Sequence, residues 1–178
     1  MKNDIERILY SEEEIRGKIK ELGSRIAKDY AGKDVIFIGI LKGSVMFMSD
    51  LLKEVNIPCR MDFMAVSSYG NSAVTSGVVR ILKDLDFEIR DKDIIIVEDI
   101  IDSGVTLQYL IKYLKARKPR SVEIACLLNK PERRKVEIPV KYLGYDVPDY
   151  FLVGYGLDYA EKYRNLPYIA VLKEEIYK

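Results

Sequence analysis

Residues 94–106 have the sequence Ile-Ile-Ile-Val-Glu-Asp-Ile-Ile-Asp-Ser-Gly-Val-Thr, and this stretch decides the fold class. Its uninterrupted β-branched start is typical of a strand that is buried on both faces, as in a parallel sheet. Apolar side chains then recur at helical spacing from Leu107 to Leu114, so residues 102–106 should form the loop that enters a helix. Open α/β sheets bind ligands at the carboxyl ends of their strands, and the stretch therefore predicts a site as well as a fold.

Three carboxylates stand close together in this stretch, just before the expected helix. Glu98, Asp99 and Asp102 should repel each other unless a ligand gives them hydroxyls, a proton or a cation to share. The backbone amides at a helix N-terminus suit a phosphate group, and carboxylate oxygens suit Mg2+. An anion site beside an acidic cluster predicts a sugar phosphate bound together with Mg2+.

The composition excludes several classes of function. Lys and Arg total 29 against 28 Asp and Glu, and this net charge of +1 gives no whole-protein reason to expect a nucleic acid or a membrane as partner. The chain has no histidine, which removes Ser-His and Cys-His nucleophile pairs and imidazole metal ligands. Cys59 and Cys126 lack metal-site spacing and should be small core residues. The acidic start lacks an apolar segment of signal-peptide length, so we expect a cytoplasmic protein.

Strand and helix patterns alternate along the chain, which predicts a single α/β domain over residues 1–178. Ser11 starts a capping box, and a helical apolar stripe follows it. The core-facing stripe of the second helix should comprise Val45, Met48, Leu51, Leu52 and Val55. Predicted strands cover Val35–Ile40, Cys59–Val66, Val78–Leu82, Asp93–Val97 and Ser121–Leu128. Beyond Asn129 the pattern changes, with segments at Tyr142–Tyr145 and Phe151–Gly154 and a last apolar run at Tyr168–Leu172. Residues 67–77 are small, polar and aperiodic, so they are a candidate closing loop.

Two common nucleotide-binding motifs are absent from the sequence. A P-loop needs Lys after its second glycine, whereas Lys42 precedes Gly43. A dinucleotide fingerprint needs a third glycine and a helix, which residues 154–156 lack. The phosphate site must therefore be of another type.

Residues 94–106 resemble the phosphoribosyl-pyrophosphate motif of type I phosphoribosyltransferases, with four hydrophobic residues, two acids, two hydrophobic residues, a third acid and a Ser-Gly turn. Further segments resemble those of the 6-oxopurine branch of the family, in the same order: Leu41–Ser44, Ser68–Gly70, Leu127–Lys130 and Phe151–Tyr159. The likeness extends from about Ile5 to Leu172. It implies the type I fold, a mainly parallel twisted sheet flanked by helices, with a small hood formed mainly by residues of about 140–178 and the N-terminal segment.

The resemblance also implies an activity. It is the Mg2+-dependent transfer of the 5-phosphoribosyl group from phosphoribosyl pyrophosphate to N9 of hypoxanthine or guanine, which yields IMP or GMP in purine salvage. The family resemblance further implies a homodimer or homotetramer. Lys130 supports a 6-oxopurine, because its N–H donors match a 6-oxo acceptor and not a 6-amino donor. Two alternatives stay open: a regulatory nucleotide-binding protein of the same fold that binds RNA or a repressor partner, and an enzyme of the same fold that uses xanthine or a pyrimidine.

The resemblance assigns roles to the acidic motif. Glu98 and Asp99 would hold the ribose hydroxyls and share Mg2+ with them. Asp102 would exchange a proton with N7 of the purine, although it could instead be the N-cap of the helix. The 5-phosphate would lie against the residues Asp102, Ser103, Gly104, Val105 and Thr106.

The base and the pyrophosphate would be bound by other segments. Phe151 would stack on the purine, or simply pack in the core, and the carbonyl group of Leu152 would meet the purine N1 or 2-amino hydrogens. Asp158 would hold Mg2+ beside the base. The expected pyrophosphate ligands are Lys42, Gly43 and Arg164, with a cis peptide before Lys42. For Arg164 taken alone, an ordinary surface ion pair is the alternative.

The same resemblance places Ser68 and Tyr69 in the closing loop. Such a loop would exclude water while the phosphoribosyl group is transferred, and so would limit hydrolysis.

Overall fold

A six-stranded sheet forms the framework of the molecule. The structure is a computed structural model, and it describes residues 1–68 and 79–178. The strands are β1 (Ile5–Tyr10), β2 (Val35–Leu41), β3 (Arg60–Ser68), β4 (Val79–Lys83), β5 (Asp93–Ile101), β6 (Ser121–Asn129), β7 (Tyr142–Asp146), β8 (Leu152–Val153) and β9 (Ile169–Leu172). The α-helices are α1 (Glu12–Asp29), α2 (Val45–Glu54), α3 (Val105–Lys115) and α4 (Glu174–Tyr177), and 3-10 turns cover Lys2–Asp4 and Pro131–Arg133.

The large sheet has the strand order β4-β3-β2-β5-β6-β7. All neighbours in it are parallel except β4, which pairs antiparallel with β3. The carboxyl ends of β2, β3, β5 and β6 therefore lie at one edge of the sheet. This arrangement confirms the predicted mainly parallel sheet, and it places the loops after these strands together.

Two apolar layers cover the two faces of the large sheet. Ile95 and Val97 of β5 pack in the layer that contains the buried side chains of α1 and α2. Ile94 and Ile96 point to the other layer, where they meet the buried leucines of α3. Because successive strand residues face opposite sides, both faces demand apolar side chains, which explains the uninterrupted run in the sequence.

A second sheet lies outside the first, with the order β1-β9-β8 and antiparallel pairing throughout. It joins the N-terminal strand to the C-terminal segment, as the expected hood requires. One strand within the expected hood range of 140–178 behaves differently, since β7 pairs in parallel with β6 in the large sheet. The second sheet thus draws its C-terminal strands from β8 onwards.

The predicted first helix is confirmed, and the second is partly wrong. Ser11 and Glu14 form both hydrogen bonds of a capping box at the start of α1. In α2, however, Val45 is 36% exposed and Phe47 is fully buried. Val45 is the first residue of α2, where the helix begins, whereas Phe47 is buried together with Met48 and Leu51.

The central strand extends further than predicted. The sequence suggested an end at Val97, which is indeed the last residue of β5 that pairs with β2. Pairing with β6 continues beyond it, through Ile100 opposite Leu128 and Ile101 opposite Asn129. The acid pair of residues 98 and 99 therefore lies within the strand, not in the loop after it.

The sequence also predicted positions for the two cysteines and for Ser68. Cys126 is buried and Cys59 half-buried, and both are free thiols, as expected. Ser67 and Ser68 were expected in the closing loop, but this is wrong, because β3 extends to Ser68 and these two residues pair with Arg80 and Val79 of β4. Tyr69 lies outside the described residues. Within residues 1–68 and 79–178, no helix is both long and apolar enough to cross a membrane.

Two glycines of α1 test how tightly the helices pack. A Cβ at Gly23 would lie 2.6 Å from Glu54 Cβ on α2, whereas a Cβ at Gly17 would meet nothing within 4 Å. We expect Gly23→Ala to lower the free energy of unfolding by about 1–3 kcal/mol, because α1 and α2 must move apart. Gly17→Ala is the matched control and should raise it by about 0.5–1 kcal/mol through helix propensity. Urea denaturation measures both, and a Gly23→Ala variant as stable as Gly17→Ala would contradict the packing.

Candidate active site

The loops after β2 and β8 meet the acid pair at Gly43. A Cβ placed at Gly43 would overlap the Asp99 carboxylate, and one placed at Gly156 would overlap the Gly43 carbonyl oxygen. The Leu41–Lys42 peptide bond is cis, as the resemblance implied. Three segments that are distant in sequence therefore share one place at the carboxyl edge of the sheet.

The carboxylates of Glu98 and Asp99 lie in a poorly solvated place. Burial raises the pKa of Asp99 to about 6, the Asp158 carboxylate adds to this rise, and the Arg164 guanidinium opposes it. Burial, followed by the neighbouring Asp99 carboxylate, raises the pKa of Glu98 well above its usual range. Hydroxyl donors or a cation would favour the ionised forms, so this pair is suited to a ligand that brings them.

Arg164 is held from several sides beside this pair. Its Nη1 donates to the carbonyl oxygen of Gly156 at 2.7 Å, and its Nη2 lies 2.9 Å from Asp158 Oδ1. Glu161 accepts from both Arg164 Nη2 at 3.2 Å and Lys42 Nζ at 2.7 Å. The side chain of Arg164 is only 24% exposed, so it differs from an ordinary surface ion pair. The structure thus brings the predicted pyrophosphate ligands together.

A cavity of about 160 Å3 opens over the start of α3. Its lining comprises Glu98, Ile100, Ile101, Asp102, Ser103, Gly104, Thr106 and Leu107. Gly104 is the N-cap of α3 and has a φ of +80°, a conformation that favours glycine. Asp102 lies two residues earlier, so its alternative role as N-cap is wrong. Ser103 Oγ accepts a hydrogen bond from the backbone N–H of Val105 at 3.4 Å.

A larger cavity lies away from the acidic motif. It measures about 470 Å3 and lies between α1, α2 and residues 164–167. Of the predicted site residues within 1–68 and 79–178, only Arg164 lines it. Cavity size alone would therefore not locate the acidic motif.

Asp102 belongs to a network of charges with Lys130. Arg133 Nε donates to Asp102 Oδ1 at 2.5 Å, and Arg133 Nη1 donates to Asp149 Oδ2 at 3.2 Å. Lys130 Nζ donates to Asp149 Oδ1 at 3.2 Å and to the carbonyl oxygen of Tyr150 at 2.7 Å. Hydrogen bonds from Lys130 and Arg133 lower the pKa of Asp149. One network of hydrogen bonds therefore connects Asp102, which is expected to exchange the proton, with Lys130, which is expected to select the base.

Phe151 and Leu152 follow this network along the chain. The Phe151 ring stacks on Tyr177 at 4.5 Å between centroids and meets the edge of Tyr159 at 5.5 Å. Phe151 is partly buried, so it packs against neighbours and also keeps some exposed surface. Leu152 is buried in β8, where it pairs with Val171.

The carboxylates of Asp99 and Asp158 could supply some, but not all, of the ligands that Mg2+ needs. Asp158 lies close enough to raise the pKa of Asp99, and both offer the oxygen ligands that Mg2+ prefers. In the described part of the chain, however, no three His, Cys, Asp or Glu side chains are grouped closely enough to hold a metal ion by themselves. Such a site suits an ion that takes its other ligands from phosphate oxygens and water.

Three site residues were missing from the sequence interpretation. Arg133 lies one 3-10 turn after Lys130, and Glu161 lies three residues from both Asp158 and Arg164, so spacing offered a signal for each. Asp149 had no such signal. Arg133 lies in the basic tract of residues 130–135, and its guanidinium contacts Asp102 of the acidic motif.

The raised pKa of Asp99 predicts a stability change with pH. Below pH 4 the carboxyl is protonated in both the folded and the unfolded chain. Between pH 4 and 6 the unfolded chain loses its proton first, so stability falls as pH rises and stays low above pH 6. Asp99→Asn removes this charge and should raise the free energy of unfolding by about 1–3 kcal/mol at pH 7.5.

Urea denaturation at a series of pH values checks this expectation. The gain of Asp99→Asn should disappear near pH 4. Asp34→Asn is the control of opposite sign, because Lys92 and Arg60 lower the pKa of Asp34 and its loss should destabilise the protein at pH 7.5. A gain for Asp99→Asn that is equal at pH 4 and pH 7.5 would exclude the titration as its cause.

Comparisons with known proteins agree with this geometry. A phosphoribosyl transferase domain model matches residues 6–160. A hypoxanthine-guanine phosphoribosyltransferase of Bacillus subtilis is 54% identical over 178 residues, which are 100% of this chain and 99% of that protein. A protein of the same name from Streptococcus agalactiae is 54% identical over 177 residues, 99% of this chain and 98% of that protein. The crystal structure of a hypoxanthine phosphoribosyltransferase from Staphylococcus aureus has a TM-score of 0.98 and 51% identity, and covers 100% of this chain and 97% of that one. The chain therefore belongs to the phosphoribosyltransferase family.

Proposed function

We propose that this protein transfers the 5-phosphoribosyl group from phosphoribosyl pyrophosphate to N9 of hypoxanthine or guanine, with IMP or GMP and pyrophosphate as products. The observation that carries this proposal is that two charged clusters contain acids from the carboxyl end of β5 and the residue just after it. The first cluster comprises Glu98, Asp99, Lys42, Asp158, Glu161 and Arg164, and the second comprises Asp102, Lys130, Arg133 and Asp149. The names of relatives that are 54% identical over nearly their whole length support the choice of substrates. The reaction serves purine salvage.

The first cluster would bind the ribose and the leaving pyrophosphate. As the bond at the anomeric carbon breaks, positive charge develops on the ribose and negative charge on the pyrophosphate. Lys42 and Arg164 would donate N–H groups to the leaving pyrophosphate, and donors that are already placed stabilise such a charge. Glu98 and Asp99 would accept hydrogen bonds from the ribose hydroxyls. Mg2+ held in part by these acids and Asp158 would add positive charge at the same phosphate oxygens.

The loop of residues 102–106 would bind the 5-phosphate. Backbone N–H groups at the start of α3 are the donors, and the helix dipole favours negative charge there. The side-chain hydroxyls of Ser103 and Thr106 line the same cavity and could add hydrogen bonds. The lack of a side chain on Gly104 allows a phosphate to approach the backbone.

The second cluster would bind the purine and take its proton. Asp102 Oδ1 accepts from Arg133, and Oδ2 accepts no hydrogen bond from the residues that the structure describes. Oδ2 could therefore take the N7 proton as N9 attacks the ribose. Lys130 would donate to the 6-oxo group, Phe151 would stack on the ring, and the Leu152 carbonyl oxygen would accept from the edge of the base.

The other partners that we propose are further copies of this chain. A homodimer or homotetramer is what the family resemblance implies. The near-neutral net charge gives no general attraction for RNA. Closure over the site by the segment that follows Ser68 and includes Tyr69 belongs to the same proposal.

An assay of nucleotide formation tests the proposed function. The protein is incubated with phosphoribosyl pyrophosphate, Mg2+ and one base at a time: hypoxanthine, guanine, xanthine, adenine or uracil. We expect product with hypoxanthine or guanine and none with adenine, because Lys130 cannot accept a hydrogen bond from a 6-amino group. If product forms only with xanthine or only with uracil, that base is the substrate in place of hypoxanthine or guanine. No product with any base would refute the transferase activity.

The role of Asp102 is tested by Asp102→Asn, which keeps the shape and removes the base. We expect kcat to fall about 100-fold to 10,000-fold, the usual contribution of a positioned proton acceptor. The KM for phosphoribosyl pyrophosphate should change little. Steady-state kinetics measure both, and Asp34→Asn, at the amino end of β2 and far from the site, is the control. An unchanged kcat in Asp102→Asn would remove this role.

A further inference from the structure

The carboxylate of Glu161 connects the two cations that the proposed function assigns to pyrophosphate. Lys42 Nζ donates to Oε2 at 2.7 Å, and Arg164 Nη2 donates to Oε1 at 3.2 Å. Glu161 and Lys42 are 119 positions apart in sequence, so the contact joins two loops and is not a local helix pair. Both carboxylate oxygens thus occupy N–H donors that a phosphate group would need.

We propose that Glu161 is a built-in competitor of pyrophosphate, whose carboxylate occupies Lys42 and Arg164 and is displaced when pyrophosphate oxygens bind there. This inference rests on the proposed function, because that function gives the two cations their ligand. It gives Glu161 a role that opposes binding. The expected benefit is faster release of the product, since release limits turnover in many enzymes.

The remaining contacts of Arg164 favour a competitor over a residue that merely positions it. Arg164 Nη1 donates to the Gly156 carbonyl oxygen at 2.7 Å, and Nη2 also lies 2.9 Å from Asp158 Oδ1. The main chain of Lys42 is held as well, because its carbonyl oxygen accepts from the N–H of Val45 at 3.2 Å. Loss of the Glu161 carboxylate would therefore leave the Arg164 guanidinium and the main chain of Lys42 in place, and would free the donors that Glu161 occupies.

The exposure of the contact makes displacement feasible. The side chains of Lys42 and Glu161 are 65% and 63% exposed, and exposed ion pairs are weak. Hydrogen bonds from Lys42, followed by Arg164, lower the pKa of Glu161, so its carboxylate stays charged at neutral pH. A multiply charged pyrophosphate attracts the same cations more strongly than one carboxylate does. Glu161 should weaken the binding of pyrophosphate without preventing it.

Calorimetric titration with inorganic pyrophosphate in buffer with Mg2+ tests the proposal. In Glu161→Gln the dissociation constant should fall by about three- to tenfold, as expected when exposed competing pairs are lost. Glu161→Ala should bind as tightly as Glu161→Gln. The matched control is Glu21→Gln on α1, since Glu21 also lies between a lysine and an arginine, 2.8 Å from Lys18 Nζ and 3.9 Å from Arg25 Nη1. Its loss changes the net charge equally and should leave the affinity for pyrophosphate unchanged.

The outcomes separate this inference from the proposed function. Unchanged or weaker pyrophosphate binding in Glu161→Gln would overturn the competition, and so would an equal gain in Glu21→Gln. In the forward reaction, Glu161→Gln should lower the KM for phosphoribosyl pyrophosphate and not that for the base, a split that a merely structural role would not produce. Failure of the proposed function would appear separately, as no nucleotide formed by the unsubstituted protein.

Discussion

Close packing of backbone against a carboxylate at Gly43 sets the geometry of the whole site. There is no room for a side chain at Gly43, because Asp99 occupies that space, or at Gly156, because the Gly43 carbonyl oxygen occupies it. Gly156 also has a φ of +99°, where a side chain would be strained. Since β2 and β5 are parallel neighbours, the loop with Lys42 is delivered directly beside the acid pair. The parallel pairing of β2 and β5 is therefore enough to bring the loop with Lys42 close to the carboxylates of the acid pair.

The acids of the site divide into two kinds by their surroundings. Burial raises the pKa values of Glu98 and Asp99, which lie where hydroxyls and Mg2+ are expected to bind. Hydrogen bonds from cations lower the pKa values of Asp149 and Glu161, which hold Lys130 and Lys42 in the present structure. A carboxylate with a raised pKa lacks hydrogen-bond donors or cations that would stabilise its charge, whereas a carboxylate with a lowered pKa already has them. This contrast fits the proposed division of the acids, in which Glu98 and Asp99 bind ligands while Asp149 and Glu161 pair with cations of the site.

Local patterns in the sequence predicted the fold well. The features that they did not predict depend on contacts between residues that are distant in sequence. The apolar run of residues 94–97 needs only its own neighbours to indicate a doubly buried strand, and the capping box at Ser11 is equally local. The extension of β5 to Ile101 depends on where β6 lies, which no local pattern contains. The contact of Arg133 with Asp102 spans 31 positions and that of Glu161 with Lys42 spans 119, so charge type alone could not pair them. Motif spacing predicted the residues proposed to bind the ligand, but not the side chains that contact those residues.

The two halves of the site differ in how firmly their cations are held. Lys130 is 9% exposed and bound to both Asp149 and a backbone carbonyl oxygen, so removing a partner would leave a buried charge unmet. Lys42 is largely exposed, and exchange of its partner carries little cost. In the proposed base-binding role of Lys130, fixed donors would suit selection among purines, because they reject a wrong base by leaving polar groups unpaired. An exchangeable cation suits pyrophosphate, which must bind as part of the substrate and then leave. The difference in burial therefore matches the different demands that selection and release place on the two ends of one site.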